Sequence, residues 1–459
     1  SARSVAIENG ASLPLEPNVT LISNEESIIH GAEALVLESD VAGSSNFIDS
    51  GIEYEFSGTA KVERYMDGTN TPLILGGYHY ISSPVDTHSK FTDMEDLYGY
   101  SESDLEWIHE TLFANFSNAS GYAINYGSTI TKSFVGELNT GTQSFALTST
   151  TNGGSVFEDM NLIGNPFPSS ISADDLVDNN NTLLNATVYF WNGSDYSSYN
   201  TSLNAGTAGA LGVAPDGNIA VGQAFFVEAK ATGTVSITNS MRGDDSDIFY
   251  KKESYPQLRL LVRGGEEKSD LLLTGHKLST KDTDEYDAKQ LAVNTSLSIG
   301  SLLNDRVYDI ESVPKLLGHR FDLAVNSPES KEITFNISDL RGLEGMIVYL
   351  EDREKGTLTD ITNASYTTQI TSGENKTRFK LRIAREHSAY NVWLNDGKVK
   401  IFKEGKAITG RITLIGLDGK IVSSSSSNYI SNWSNLSSGV YLLRFENEQA
   451  YYVSKIIKQ

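Results

Sequence analysis

Cysteine is absent from the sequence of 459 residues. Its absence excludes disulfide bonds, thiolate metal sites and cysteine nucleophiles together. A chain of this length is too long for one compact core, so we expect three or four domains. Without disulfide bonds, domains that work outside the cell must depend on large β-cores.

Basic residues are also few, with 36 lysines and arginines against 59 acidic residues and a net charge of −23. A polyanion is not drawn to nucleic acid or to anionic lipid by electrostatic attraction. No apolar run approaches the length of a membrane span. We therefore expect neither a nucleic-acid partner nor a transmembrane segment.

Recognisable catalytic patterns are missing as well. The seven histidines are scattered along the chain, and neither an H-E-x-x-H metal motif nor a G-x-S-x-G nucleophile elbow occurs. An acid-rich chain offers many carboxylate pairs of the kind that glycosidases use, but nothing singles one out. The sequence thus favours a protein that is not an enzyme and has no cofactor, with calcium as the one alternative considered below.

What the sequence does contain is alternation of apolar and polar residues with a period of two, in segments such as RFKLRIA and RITLIGL. Clusters of Gly, Asn, Asp and Ser separate these segments, which is typical of strands and turns. The pattern predicts an all-β fold of tandem β-sandwich domains, jelly-roll or Ig-like. Short helices are expected around Phe91 to Leu97, Ala173 to Val177 and Ser338 to Leu343.

The first 50 residues have a different rhythm, with short apolar groups separated by small polar turns. This rhythm predicts β-helix-like rungs, or alternatively a cap on the next domain. Composition changes near residues 241–256 and 385–397, which indicates two further boundaries. We therefore expect four parts: the rungs or cap at 1–50, a β-rich surface domain at 51–250, a β-sandwich at 251–387 and an Ig-like domain at 388–459.

Two acidic loops, GDDSD and KDTDEYDAK, place carboxylates at alternate positions, as calcium-binding loops do. Neither loop has the glycine and the terminal Glu of an EF-hand, so a solvated acidic loop is the alternative. The candidate calcium ligands are Asp244, Asp245, Asp247, Asp282, Asp284 and Asp287.

Tyr and Trp are abundant between residues 78 and 199. Aromatic rings on a sheet surface can bind the apolar faces of sugar rings, although a β-sandwich core uses the same residues. Within the turn-like segment WNGSDYSSYN, Trp191 and Tyr196 are expected to be exposed. Together with Tyr199 they are the candidate carbohydrate-binding residues, for a polysaccharide or another surface ligand.

Three strings occur together in the first half of the chain: KVERYM…GGYHYISSPV, NLIGNPFPSSISADDL and NIAVGQAFFVEAKATGTVSITNSMR. They resemble the module that precedes the C-terminus in many large secreted proteins of Bacteroidetes. The segments LRLLV, DEYDAKQL, VYLEDREKGTLTDI and TRFKLRI resemble its companion β-sandwich. In GNPFPS, Pro166 and Pro168 fix the backbone and remove two amide donors, which predicts a rigid corner that Asn165 can cap.

The last segments, GKVKIF, GRITLIGLDGKIV and NLSSGVYLLRFENEQAYYVSKIIK, resemble a type A sorting domain of the type IX secretion system. GVYLLRF and AYYVSKIIK are expected to form the last hairpin of an Ig-like sandwich, with Tyr441, Leu443 and Phe445 on one face. The residues expected to carry the sorting signal are Gly439, Val440, Tyr441, Lys455 and Lys458.

This resemblance implies export across the outer membrane, to the cell surface or the medium. The implied partners are the type IX translocon and its outer-membrane shuttle protein, through residues 388–459. The leading hypothesis is a non-enzymatic cell-surface protein, an adhesin or structural protein in gliding or attachment. The alternatives are a carbohydrate-binding surface protein and the C-terminal part of a larger secreted hydrolase.

Overall fold

In a computed structural model, the chain forms two compact units. The N-terminal unit comprises Ser1–Glu253 and Leu291–Val293, and the C-terminal unit comprises Ser254–Gln290 and Asn294–Gln459. The structure describes residues 1–55, 58–68, 78–86, 91, 96–110, 115–126, 128–150, 154–209, 213–243, 255–291, 296–385, 390–395, 398–403, 406–426, 429–430, 433–447 and 450–458. Strands dominate these residues, so the predicted all-β class is confirmed. Within the described ranges, no helix is long and apolar enough to cross a membrane.

Short strands, most of them paired in parallel, open the N-terminal unit and stack into coils. They are β1 (Ala6–Ile7), β2 (Leu13–Leu15), β3 (Thr20–Ser23), β4 (Ser27–His30), β5 (Leu35–Leu37), β6 (Ser39–Asp40), β7 (Gly43–Ser44), β8 (Asn46–Asp49), β9 (Ile52–Glu55) and β10 (Ala60–Met66). Three parallel ladders form, β1-β4-β9, β2-β5-β10 and β3-β8. Successive turns of the chain therefore lie one above another, as in a parallel β-helix, with Ile29, Leu35 and Phe47 buried inside.

The middle of the N-terminal unit supplies antiparallel strands. They are β11 (Tyr78–Ile81), β12 (Leu97–Ser101), β13 (Glu106–His109), β14 (Tyr122–Asn125), β15 (Ile130–Gly136) and β16 (Gln143–Leu147). β15 pairs with β10 and so extends a sheet of the coils. The order β11-β14-β12-β13 forms a separate four-stranded sheet, which carries Tyr78, Tyr80, Tyr98 and Tyr100.

The rest of the N-terminal unit is built around a five-stranded antiparallel sheet of order β17-β23-β19-β20-β21. Its elements are β17 (Met160–Gly164), β18 (Ser170–Ser172), α1 (Ala173–Asn179), β19 (Leu184–Trp191), β20 (Tyr196–Asn200), β21 (Ala205–Thr207), β22 (Asn218–Ile219), β23 (Ala224–Ala229), β24 (Gly233–Ile237), a 3₁₀ turn (Asn239–Met241) and β25 (Arg242–Gly243). The predicted helix at Ala173 is confirmed. Ser172 caps it, because its side-chain oxygen accepts the Asp175 N–H at 3.1 Å.

The GNPFPS corner follows β17 directly, and the Asn165 side chain holds it. The Asn165 amide donates to the carbonyls of Ser169, Ile219 and Ala220 at 2.8, 3.2 and 3.0 Å. Its side-chain oxygen accepts the Phe167 N–H at 2.9 Å. The buried side-chain amide thus holds both ends of the corner and ties it to residues 219–220, so the predicted cap is confirmed.

A buried ion pair joins the coils to this corner. Arg242 Nη1 lies 2.9 Å from Asp49 Oδ2, and both side chains have 0% exposed area. Arg242 also donates to the Phe47 carbonyl and, at 3.0 Å, to the Ser169 hydroxyl. A charge removed from water in this way needs its partner, so the pair fixes how the coils meet the corner.

The C-terminal unit begins with eleven strands in one hydrogen-bonded sheet, of order β34-β33-β36-β31-β29-β30-β27-β26-β32-β35 with β28 on β30. They are β26 (Gln257–Gly264), β27 (Glu267–Gly275), β28 (Ala288–Lys289), β29 (Ser298–Leu303), β30 (Arg306–Val313), β31 (Arg320–Ser327), β32 (Lys331–Arg341), β33 (Met346–Asp352), β34 (Thr357–Asp360), β35 (Tyr366–Ile370) and β36 (Gly373–Arg385). The buried side chains of these strands form one apolar core, which includes Leu260, Phe335 and Phe379. The sandwich arrangement itself stays a prediction.

Two helix predictions do not match these elements. The helix expected at Ser338 to Leu343 is wrong, because β32 continues to Arg341 and pairs with β26, with Leu340 opposite Leu258. Pairing with a neighbouring strand overrides a weak local helix preference. The helix expected at residues 91–97 falls largely outside the described residues, and Leu97 begins β12.

The last part of the C-terminal unit contains two four-stranded sheets. Its elements are β37 (Tyr390–Asn395), β38 (Lys398–Lys403), β39 (Lys406–Ala407), β40 (Arg411–Gly416), β41 (Ile421–Ser425), β42 (Tyr429–Ile430), a 3₁₀ turn (Trp433–Asn435), β43 (Gly439–Asn447) and β44 (Ala450–Lys458). One sheet contains β37, β38, β39 and β42, and the other has the order β41-β40-β43-β44. Both contribute to one core, which contains Ile401 of the first sheet and Leu443 and Phe445 of the second.

Candidate functional site

An aromatic pocket lies in the N-terminal unit, where strand alternation brings rings from distant segments together. Tyr78 and Tyr80 alternate on β11 and therefore share one face of that strand. On the same sheet Tyr100 of β12 pairs with Trp107 of β13. The β19–β20 hairpin adds Trp191, which pairs with Tyr196 across a four-residue turn.

The pocket encloses about 410 Å³. It is lined by Tyr78, Tyr80, Tyr98, Trp107, Ala123, Phe157, Trp191 and Tyr196. The Tyr80 and Trp191 rings are stacked, with centroids 5.9 Å apart and planes 19° apart. The indole of Trp191 donates to the Tyr78 carbonyl at 3.1 Å, which fixes the orientation of that ring.

The lining combines apolar ring faces with a buried pair of phenols. Tyr80 and Tyr196 are 8% and 4% exposed, and their hydroxyls lie 2.7 Å apart. Burial raises the pKa of both hydroxyls. It also raises the pKa of Tyr100, the β12 neighbour of Trp107, to about 12. These phenols are therefore neutral hydrogen-bonding groups at ordinary pH. Trp107 is 39% exposed, more than any other ring of the lining, and is open to a ligand.

Two of the three predicted carbohydrate-binding residues line this pocket, and the third does not. Trp191 and Tyr196 face the cavity, but Tyr196 is buried rather than exposed. The prediction for Tyr199 is wrong: this ring is 1% exposed and lies in a different core, with its hydroxyl donating to Asp174 at 3.0 Å. Since Tyr196–Asn200 is a strand rather than a turn, residues three positions apart point to opposite faces.

Of the two predicted calcium loops, the structure describes only the second. Asp244, Asp245 and Asp247 lie outside the described residues. Asp284 accepts the N–H groups of Thr280 and Tyr286, and Asp287 accepts those of Asp284 and Ser312. These carboxylates order their own loop and its neighbour, with Asp282 beside them.

No group of three or more His, Cys, Asp or Glu side chains in the described part of the chain is arranged to hold a metal ion. Calcium binding by either loop remains an untested prediction.

The predicted terminal hairpin is confirmed, because β43 and β44 pair from Gly439 opposite Lys458 to Asn447 opposite Ala450. Tyr441, Leu443 and Phe445 share its buried face. The Tyr441 hydroxyl donates to the Ser437 carbonyl at 2.7 Å, which fixes the entry into β43.

The two predicted signal lysines differ in their surroundings. Lys455 is exposed on β44 and so is Ile457, the pairing partner of Val440. Lys458 donates to the carbonyls of Trp433, at 2.8 Å, and Leu436. The Lys458 charge therefore anchors the 3₁₀ turn and is not a free tip of the strand.

Comparison with known proteins finds two family matches along the chain. One family model, described as a domain of unknown function (DUF8693), matches residues 1–383. A second, described as a secretion system C-terminal sorting domain, matches residues 395–459. No curated protein matches the chain. The sorting domain marks the protein as cargo of the type IX secretion system, exported across the outer membrane to the cell surface or the medium. The chain therefore belongs to the family described as a domain of unknown function (DUF8693), and it carries a type IX sorting domain after that domain.

Proposed function

We propose that this exported protein is a non-enzymatic surface adhesin, which binds a sugar ring of a surface polysaccharide in the aromatic pocket. The observation that carries the proposal is the pocket itself, about 410 Å³ lined by seven aromatic rings and one alanine. Sugar rings present apolar C–H faces and polar edges. The pocket offers matching groups, ring faces on its walls and the hydroxyls of Tyr80 and Tyr196.

The lining also supports binding over catalysis. Its described residues contain no carboxylate, imidazole, amine or aliphatic hydroxyl. Glycoside hydrolysis needs two carboxyl groups held about 5–10 Å apart, flanking the bond that breaks. The phenols, with their raised pKa values, are poor proton acceptors at neutral pH. A pocket with this lining holds a ligand and leaves it unchanged.

A glycan array probed with the full chain tests the proposal. Saturable binding to a defined glycan is expected, followed by titration calorimetry with that glycan. Trp107→Ala removes the most exposed ring and should weaken binding roughly 2- to 12-fold, because such ring contacts contribute about 0.5–1.5 kcal/mol. Trp191→Ala should weaken it further, since this ring also stacks on Tyr80.

The matched control is Tyr65→Ala. Tyr65 is a half-buried strand tyrosine of the same unit that does not line the pocket, and its removal should leave glycan binding unchanged. A blank array would refute the proposal. So would a glycan that binds wild type and both tryptophan variants equally.

A further inference from the structure

A second cavity lies in the C-terminal unit, between the eleven-stranded sheet and the sorting domain. Apolar contact holds this junction together, with Tyr451 and Val453 of β44 packed against Ala384 of β36 and partly buried Tyr349 and Leu358. Two turns also approach each other there. A side chain on Gly419 would overlap the carbonyl oxygen of Gly356, so their backbones are in direct contact.

Positive charge is in excess at this junction, in a protein whose net charge is −23. Glu446 lies beside Arg320, Arg444 and Arg411, the last two at 3.9 and 4.0 Å, while Glu351 pairs with Arg382. Four arginines of the described residues therefore share two glutamates here. Burial lowers the pKa of Arg444, and the neighbouring Arg382 lowers it further by repulsion between cations, which Glu351 offsets in part.

The cavity at this junction, called the junction cavity below, has a volume of about 400 Å³. Its charged lining residues are Glu351, Asp352, Arg353, Arg382 and Arg444. Asp352 is already occupied, since Arg378 donates to both of its oxygens at 2.9 and 2.7 Å. Glu351 is the partner of Arg382. Arg353 and Arg444 thus leave the lining net positive.

Two guanidinium groups that line the junction cavity are incompletely hydrogen-bonded. Among the described residues, the Nε atoms of Arg382 and Arg444 have no hydrogen-bond partner, although both are buried. The Arg382 side chain is 5% exposed. Arg444 makes one long hydrogen bond, from Nη2 to the Thr413 hydroxyl at 3.4 Å. Arg382 donates from its Nη atoms to the Tyr451 hydroxyl and to Glu351. Arg444 Nε faces Glu446 Oε2 at 3.9 Å. Neither guanidinium has acceptors for all of its donors, and a further acceptor would satisfy more of them.

We propose that the junction cavity binds a phosphate or sulfate group, either as the free oxyanion or as an ester on a larger ligand. The planar fork of arginine matches the oxygens of such groups, and Arg382 and Arg444 line the cavity from two different sheets. The volume exceeds what a bare oxyanion needs and accommodates an attached group. Since Arg382 belongs to β36 and Arg444 to β43, a bound oxyanion would bridge the large sheet and the sorting domain. This site is separate from the aromatic pocket and does not depend on its function.

Titration calorimetry of the full chain tests this proposal, with sodium phosphate, sodium sulfate and glucose 1-phosphate at constant ionic strength. Wild type should bind at least one of them. Arg444→Gln should weaken binding roughly tenfold or more, equivalent to about 1.4 kcal/mol. The control is Arg411→Gln, which removes the same charge beside the same Glu446 but from a residue that does not line the cavity.

Two further comparisons distinguish an ester ligand from a free oxyanion, and a loss of binding from a failure to fold. Tighter binding of glucose 1-phosphate than of phosphate assigns the site to an ester, and equal or weaker binding assigns it to the free oxyanion. If Arg444→Gln fails to fold, Arg353→Gln replaces it, because Arg353 is exposed and lines the cavity. The proposal is overturned if none of the three compounds binds, or if Arg411→Gln loses as much affinity as the lining variants.

Discussion

Removing Asp49 should destabilise the N-terminal unit far more than an average substitution does. In Asp49→Ala the guanidinium of Arg242 would remain buried, with the Phe47 carbonyl and the Ser169 hydroxyl as acceptors but without a counter-charge. Breaking a buried ion pair by removing one partner costs about 3–5 kcal/mol. Since 1 kcal/mol shifts the melting temperature by roughly 2–4 °C for 150–250 residues, we expect a fall of roughly 6–20 °C.

The double variant Asp49→Ala/Arg242→Met distinguishes the loss of the pair from the loss of two independent side chains. Removing both charges leaves no unpaired ion, so the double variant should lose less than the sum of the two single variants. The control is Arg3→Met, which breaks the Arg3–Glu25 pair at 2.7 Å with side chains 87% and 52% exposed. An exposed pair of this kind contributes about 0–1 kcal/mol, so the control should melt close to wild type.

Differential scanning calorimetry of the full chain measures these shifts, with circular dichroism to show that each variant is folded. The reasoning is refuted if Asp49→Ala melts as Arg3→Met does, or if the two single losses simply add. In either case the Asp49–Arg242 pair would make no stability contribution of its own beyond that of the packing around it.

Two further predictions concern the C-terminal unit. Burial raises the pKa of Glu311 to about 7 from an ordinary value of 4.5, so the folded state binds the proton more tightly and stability falls as pH rises from about 4.5 to 7. Glu311→Gln should therefore be more stable than wild type at pH 8, by roughly 1–3 kcal/mol, but not at pH 4.5. Urea denaturation at both pH values measures this difference. An equal effect of the substitution at both pH values would contradict the prediction. Gly419→Ala should cost at least twice as much as Gly345→Ala in the same assay. Both glycines have positive φ, +77° and +70°, but only the first contacts Gly356, so equal losses would show that the junction contact contributes nothing.

Much of the fold could be predicted because its signals are local. Alternation identified the strands, the rhythm of the first 50 residues indicated the coils, and ENEQ between two apolar runs predicted the β43–β44 hairpin. The Asn165 cap could also be anticipated, since prolines at positions 166 and 168 leave the chain without amide donors at a corner. By contrast, the helix expected at Ser338 failed because β26, some eighty positions earlier, decides its structure through pairing.

The aromatic pocket could be predicted only in part, for the same reason. Trp191 and Tyr196 are near neighbours in the sequence, and the error at Tyr199 came from treating a strand as a turn. Strand alternation would have separated Tyr196 from Tyr199 correctly. Tyr80, however, meets Tyr196 across 116 positions, and no local pattern signals such a contact. The arginines of the junction cavity are likewise scattered through the sequence.

The parallel coils at the start of the chain have a consequence for the order of folding. Each coil strand pairs with one roughly 25 residues away, so closing these loops costs little entropy. The Arg242–Phe47 hydrogen bond instead spans 195 positions. We therefore expect the coils to assemble early, from contacts within the first 66 residues. At that stage the Asp49 carboxylate is still hydrated by solvent. Arg242 then packs against Asp49 late in folding, and its burial stabilises coils that have already formed.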